Sequence, residues 1–364
     1  MRIFCALFMA FSMLYAQNPA KGSNPSLEDM QRFIHQPNFE WNAQKQKGYF
    51  KNLNPQMPHI ERASMWAVAK YYLFKPKNAT PNKPLPFVEE NFHTLYSQSP
   101  AVVWFGHSSL LINYKDFTML IDPVFSDYAS PKSFINRAFK ADIHWSAKDF
   151  NTINALVITH DHYDHLDYPT INALKAQVER FIVPLGVGSH LRFWGIESSK
   201  ITELNWWESV SLAPDIRLHA TPAQHSSGRG LEWDRTLWSS YLLEIGGKKI
   251  FLSGDGGYYT HFKDIGNAFG GVDLAILENG QYNIAWKYSH SFTPQVLQAA
   301  LDLHAKMVMP IHYGRFVAGS HAWNEPLKNL IKLCDLYQLP ISVPRLGEVY
   351  ELDSAPKRDI WWEF

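Results

Sequence analysis

His160-Asp161-His162-Tyr163-Asp164-His165 sets three imidazoles and two carboxylates in six consecutive positions, directly after the apolar run Ala155-Leu156-Val157-Ile158. Zinc-type ions take neutral imidazole nitrogen and carboxylate oxygen as ligands, and a catalytic centre needs several of them converging with room left for water. The run from Ala155 to Thr159 reads as a buried strand, so His160 and His162 fall just past a strand end, where residues two apart can point to the same side. The chain must then turn, which brings Asp164 and His165 to a neighbouring point. The spacing therefore predicts a site for two ions. A single histidine near a strand end is usually an ordinary hydrogen-bonded group, but neither packing nor a solvated loop gives a reason to gather five potential ligands in one short stretch.

Further candidate ligands stand where other runs of strand character stop. His225 follows Ile216 to Ala220, Asp255 follows Lys249 to Ser253 between glycines, and His312 follows Lys306 to Pro310. Taken alone, Asp255 could be a turn residue and either histidine a satisfied loop group. With the first cluster they complete a set: His160, His162 and His225 for one ion, Asp164, His165 and His312 for the other, and Asp255 bridging both. Six terminal ligands and a shared carboxylate suit two ions about 3.5 to 4 Å apart. His107, after the first strand of the main domain, is expected to orient a ligand or a loop rather than to act directly.

Short apolar runs of strand length recur from about Pro100 onward: Ala101 to Phe105, Ser109 to Ile112, Thr118 to Ile121, Phe181 to Pro184, Ser239 to Ile245 and Leu274 to Leu277, besides those already named. Helical periodicity covers Pro294 to Leu303 and Pro326 to Leu336. Strands in both halves with helices between them predict an α/β fold of two sheets packed face to face and covered by helices. Residues 17–95, rich in Asn, Gln, Lys and Pro, read as an extension packed on a main domain at 96–364, with one amphipathic stretch from Glu61 to Phe74.

The 364 residues are 46% hydrophobic and 15% aromatic, an ordered composition. Lys+Arg 34 balances Asp+Glu 34, so the broad basic field of a nucleic-acid binder is absent and no nucleic-acid partner is expected. Met1-Arg2, an apolar stretch to Tyr15 and Ala16 together read as a signal peptide over residues 1–16, with an uncleaved anchor as the competing reading. The stretch is short for a membrane span, which takes about 20 residues. Export to the periplasm or cell envelope is the expectation. Cleavage there removes Cys5 and leaves Cys334 without a disulfide partner in the chain.

The pattern His-x-His-x-Asp-His, then a lone His, a Gly-Asp and a late His, resembles the metallo-β-lactamase-fold hydrolases. Within them the chain is most similar to N-acyl-phosphatidylethanolamine-hydrolysing phospholipase D and its bacterial relatives. The similarity rests on Trp104-Phe105-Gly106-His107-Ser108-Ser109, Ile121-Asp122-Pro123-Val124-Phe125-Ser126, Thr159 to Asp167, Val183-Pro184-Leu185-Gly186, Trp206-Trp207-Glu208, Thr221-Pro222-Ala223-Gln224-His225, Gly254-Asp255-Gly256-Gly257-Tyr258, Lys287-Tyr288-Ser289-His290 and Pro310-Ile311-His312-Tyr313-Gly314, in the same order over about residues 100 to 350. The resemblance implies a four-layer αβ/βα sandwich and two Zn2+ ions on the seven positions derived above, other divalent transition metals also being compatible. It implies that His290 lies near the substrate's amide or headgroup. Two departures sit near the pocket wall: Gly256 stands where a Thr is frequent, and Glu278-Asn279-Gly280-Gln281 replaces a more apolar Pro-Ile-Gly-Ala loop.

The expected activity is metal-assisted hydrolysis of a phosphodiester in a small molecule or phospholipid headgroup, with Asp164 or Asp255 accepting a proton and His290 assisting. Lactone or β-lactam hydrolysis is the rival chemistry on the same fold, and a metal-stabilised, non-catalytic envelope lipid-binding protein is the rival of another class. Trp206, Trp207, Trp233, Trp238 and Tyr282 are candidates for an acyl-chain groove, though core packing is the commoner task of such residues. Trp361-Trp362 either make a peripheral membrane contact or cap the core, with the cap favoured.

Overall fold

Every strand-length apolar run singled out from Pro100 onward falls on a strand in the computed structural model of the chain, which describes residues 18–54 and 76–363. The strands in chain order are β1 (Phe39–Asn42), β2 (Lys47–Phe50), β3 (Ala101–Trp104), β4 (Leu110–Tyr114), β5 (Phe117–Ile121), β6 (Ile153–Val157) and β7 (Val178–Pro184). They continue with β8 (Ile201–Leu204), β9 (Ser209–Ala213), β10 (Ile216–Thr221) and β11 (Ser240–Ile245). The last four are β12 (Lys248–Leu252), β13 (Leu274–Glu278), β14 (Val308–Ile311) and β15 (Val349–Glu351).

Two large sheets result, with strand orders β15-β3-β4-β5-β6-β7-β8 and β14-β13-β12-β11-β10-β9. In the first, β5 to β8 run parallel, with Ile121 opposite Val157. In the second, β12, β13 and β14 run parallel, with Glu278 opposite Ile311. Strands such as β3, β4 and β13 are buried at every position, as strands covered on both faces must be. One continuous apolar cluster joins residues of both sheets, from Val102 and Leu156 in the first to Leu242 and Ile276 in the second.

The α-helices among the described residues are α1 (Leu27–Phe33), α2 (Tyr168–Leu174), α3 (Gly188–Phe193), α4 (His261–Phe269), α5 (Thr293–Asp302) and α6 (Glu325–Leu336). The two helices expected from periodicity are α5 and α6, which pack on each other, and α5 also packs on α4 and β13. The molecule is the expected four-layer αβ/βα sandwich.

Parallel pairing is what builds the site. Strands that run in the same direction end on the same edge, so the loops after β5 and β6, and those after β12, β13 and β14, each leave their sheet together. In open α/β sheets, ligands collect beyond these carboxyl ends.

Residues 26–50 pack on the main body through Met30, Phe33, Phe39 and Phe50, which cluster with Leu185, Ala223, Leu237 and Trp238. Helix α1 begins with a reciprocal cap between Ser26 and Asp29, a strong start signal. The amphipathic stretch from Glu61 to Phe74 and the N-terminal residues 1–16 lie outside the described residues. Trp361 and Trp362 are buried, with Trp361 against Trp104 and Tyr313, so they cap the core.

Candidate metal centre

The ligand loop turns because its own backbone closes on itself. The N–H groups of His165 and Leu166 both donate to the carbonyl of His162, at 3.1 and 2.8 Å, and Asp167 then caps α2, whose first turn holds Pro169. Across the turn His162 and Asp164 keep part of their surface exposed while His165 is buried. Three of the non-glycine residues with left-handed backbone stand at this site: His107 (φ 52°), Asp122 (φ 43°) and His312 (φ 68°). Each such residue costs roughly 1 kcal/mol or more, and strain of this kind gathers where function demands a geometry.

His160, His162 and His225 form the first group. The single Thr159 hydroxyl proton is donated to Asp122 Oδ2 at 2.6 Å, so at 3.0 Å from His160 Nδ1 the oxygen accepts. His160 therefore carries its proton on Nδ1. His225 does the same, donating Nδ1–H to the Ser289 carbonyl at 2.9 Å. Both bare Nε2 atoms then face His162 Nδ1, at 3.0 and 3.2 Å. One proton on His162 could satisfy one of these lone pairs and not both, whereas a cation among the three nitrogens satisfies all of them. Burial, reinforced by the neighbouring imidazoles, holds His160 and His225 well below the usual histidine range, and burial also lowers His162. Neutral imidazole is the form that binds metal.

His107, Asp164, His165 and His312 form the second group, each offering a donor atom within 4.8 Å of the others. His107 Nε2 hydrogen-bonds Asp164 Oδ2 at 3.0 Å, the orienting contact expected of it. Burial, then the neighbouring His312, pushes His107 down to about 4. Asp164 is raised by burial, yet the His107 hydrogen bond and the adjacent His165 charge carry it well below the usual carboxylate range.

Asp255 lies between the groups. Its Oδ2 is 3.1 Å from His165 Nε2 and its Oδ1 is 2.9 Å from His312 Nδ1, while His160, His165 and Asp255 also share donor atoms within 4.8 Å. Neither Asp255 Oδ1 nor His165 Nε2 has a partner with hydrogen-bond geometry, although both are fully enclosed. Close donors without hydrogen-bond alignment are the mark of a metal cage. His165 is depressed by burial but raised well above its usual range by Asp255 and Asp122, and Asp255 is correspondingly low beside His165 and His312 despite burial. All seven expected ligands thus meet, although they come from four separate strand ends, and the donor set of imidazoles with two carboxylates fits divalent transition metals.

Several supporting groups escaped the sequence reading of the ligands. Asp122, at the end of β5, accepts Nδ1–H of His165 at 2.7 Å and the Thr159 N–H at 2.8 Å, fixing which nitrogen His165 turns to the site. Its position just past a strand end was the available signal. Asp161 faces away from the cage and accepts from Gly228 N at 2.6 Å, Thr236 Oγ1 at 2.9 Å and His190 Nε2 at 3.2 Å. Burial raises Asp161, but the His190 contact, supported by His162 and Arg229, brings it down to about 2. Buried Arg229 donates Nη1–H to the carbonyls of Asp161 and Leu166, at 2.6 and 2.7 Å, and stacks over Tyr163. Its Nε–H reaches Ala20 O at 3.2 Å, so the segment after residue 17 is tied to the ligand loop. No local pattern marks Arg229 for this role.

His290 joins the site from the other side. A donor atom of His290 lies within 4.8 Å of those of His225 and Asp255. Burial disfavours its charge, but Glu278, 2.7 Å from Nδ1, together with Asp255 and Asp164, outweighs burial and raises His290 to about 9. Two glycines permit the close approach here. Gly254 (φ 58°) would set a Cβ 2.8 Å from Thr159 Cβ, and Gly257 would set one 2.0 Å from the Tyr288 carbonyl oxygen.

Of the aromatic candidates, the Trp233 ring lies 6.3 Å from that of His162. Trp238 is core, buried and bonded through Nε1 to the Ala223 carbonyl, and Trp206 bonds in turn to the Trp238 carbonyl. Trp207 is exposed, and Tyr282 packs on Phe292 and His321.

Comparison with known proteins agrees with this geometry. The β-lactamase superfamily domain matches residues 118–313, and the chain belongs to that family. An uncharacterized protein of Mycobacterium tuberculosis is 33% identical over 322 residues, covering 86% of each chain. N-acyl-phosphatidylethanolamine-hydrolyzing phospholipase D 1 of Caenorhabditis elegans is 32% identical over 269 residues, 68% of this chain and 74% of that one. Among solved structures, the metallo hydrolase Igni18 of Ignicoccus hospitalis superposes with a TM-score of 0.53 at 21% identity, over 69% of this chain and 97% of the other. The chain is a metallo-β-lactamase-fold, metal-dependent hydrolase.

Proposed function

We propose that the protein hydrolyses phosphodiesters, with phospholipid headgroup esters as the substrate class, at a centre of two zinc-type ions. The observation that carries the two-ion reading is Asp255, whose oxygens meet His165 and His312 of one group while its carboxylate also lies within 4.8 Å of donor atoms of His160 and of His225 in the other. Similarity to the Caenorhabditis elegans phospholipase D supports the diester over other bonds. His160, His162 and His225 would hold one ion, Asp164, His165 and His312 the other, with Asp255 shared. When bound, such ions lower the pKa of water and offset negative charge on phosphoryl oxygens.

The chain's own groups supply the rest. His225 and His160 are locked with bare Nε2 inward by Ser289 and Thr159. Asp164 Oδ2 is engaged by His107, and the Asp164 side chain is 26% exposed, so Asp164 is the more accessible of the two ligand carboxylates for taking a proton from the attacking water. Asp255 is the second candidate acceptor. His290 faces the position of the headgroup, and Trp233 beside His162 offers an apolar surface to the remainder.

The test is a side-by-side rate comparison of metal-loaded protein on N-acyl-phosphatidylethanolamine, bis(p-nitrophenyl) phosphate and a cephalosporin. The reading expects turnover of the two diesters, lost with metal content in Asp255→Ala and His162→Ala. Preference for the cephalosporin would replace it with a β-lactamase reading, and fully metallated protein inert to every ester would replace it with a binding role.

A further inference from the structure

We propose that Glu278 is a positioning residue for turnover, holding the His290 ring with its Nε2 edge towards the substrate at the two-metal centre. The inference rests on the diesterase reading and adds a residue to it. Glu278 ends β13 and its side chain is 4% exposed. Both of its oxygens are committed: Oε1 lies 2.7 Å from His290 Nδ1, and Oε2 accepts the Gly256 N–H at 2.9 Å. The carboxylate thus links the loop bearing Asp255 to the His290 ring.

The main chain around His290 is held as firmly. The Ser289 carbonyl takes the Nδ1–H of His225, the Tyr288 carbonyl leaves no room for a side chain at Gly257, and Ser291 Oγ donates to the Gly256 carbonyl at 3.0 Å. With backbone and Nδ1 both fixed, the ring has one orientation, and Nε2 is its remaining polar atom. Its centroid lies 5.2 Å from that of His225 and 5.3 Å from that of His312, at the rim of the cage. Unlike His225 and His312, which are buried, the His290 side chain keeps 21% of its surface exposed. It is the imidazole at this rim that a substrate can reach. A buried carboxylate orienting a histidine is the device that tunes metal ligands. Here it orients a histidine towards substrate, and the carboxylate comes from the polar Glu278-Asn279-Gly280-Gln281 segment rather than from the metal motif.

The experiment uses full-length, zinc-loaded protein and bis(p-nitrophenyl) phosphate. Glu278→Ala is expected to lower kcat roughly 10- to 100-fold, the usual span for an orienting partner, with KM, zinc content and thermal midpoint near wild type. Glu278→Gln, which keeps an acceptor, is expected to recover part of that loss. In a His290→Ala background, Glu278→Ala is expected to change kcat by less than about twofold, since residues acting through one contact are not additive. Multiplying losses would overturn the proposal. An activity-independent reading comes from 15N-histidine NMR: an Nδ1–H signal absent in His290→Ala should be present in wild type and lost or strongly shifted in Glu278→Ala. Absence of that signal from wild type overturns the hold on His290. A normal signal in metallated protein that does not turn over the diester overturns the diesterase reading and leaves the hold standing.

Discussion

The two walls of the metal centre are built differently. The ligand loop, residues 160–167, is fastened from behind by buried charge: Asp122 on His165, three donors on Asp161, and Arg229 across two backbone carbonyls. The facing wall, residues 278–290, is fastened by Glu278 and by close backbone packing at Gly257, and it carries Ile284 and Tyr288 at 70% and 36% exposure. One wall is organised to keep cations in place, whereas the other leaves surface for what the cations act on. The difference is one of exposure: both walls are fastened, but only the second leaves apolar side chains open to solvent beside the cage.

That contrast can be broken most sharply at Arg229. Arg229→Ala leaves the carbonyls of Asp161 and Leu166 without their buried donor and the Asp161 carboxylate without a nearby positive charge, so the protein should lose about 3 kcal/mol or more of stability, read as a lower midpoint in urea and a loss of bound metal. Equal stability would mean that the loop is held by its ligands alone. Asp122→Asn should weaken metal binding by roughly 10- to 100-fold in a competition titration with a chelator, while the fold stays intact.

A third prediction concerns His261, buried behind the second wall beside Glu278 and lowered by burial to about 3. The unfolded chain protonates this residue near pH 6.5 and the folded chain does not, so its contribution to stability is complete above that pH and is lost as pH falls towards 3. The slope approaches about 1.4 kcal/mol per pH unit in that window, and His261→Leu should flatten it in urea melts from pH 7 to 4. The smallest effect belongs to the open wall. Ile284→Ser should leave stability within about 0.5 kcal/mol and the rate on bis(p-nitrophenyl) phosphate unchanged, while raising KM for vesicle-borne phospholipid. Unchanged KM on vesicles would show that this surface does not meet lipid.

How much of this was legible depends on whether the signal is local. His160 to His165 could be read directly, because chemistry this dense has no packing explanation, and the strand-end positions of His225, Asp255 and His312 followed from apolar runs that stop. Central strands such as β3 and β13 were visible as unbroken apolar stretches. The edge strands β8, β9 and β15 were not, since one-sided burial leaves them mixed in character. The hairpin of β1 and β2 was hidden in a polar stretch for the same reason. The supporting shell was the least legible part. Arg229 and Asp161 meet only after the chain has folded, and Glu278 stood out as a departure from a family pattern without revealing that it would meet His290.

The central claim is that two cations share Asp255, and anomalous X-ray scattering from crystals of zinc-loaded protein tests it most directly. The account predicts two peaks, one among His160, His162 and His225 and one among Asp164, His165 and His312, with Asp255 beside both. A single peak, or zinc bound away from Asp255, would contradict it.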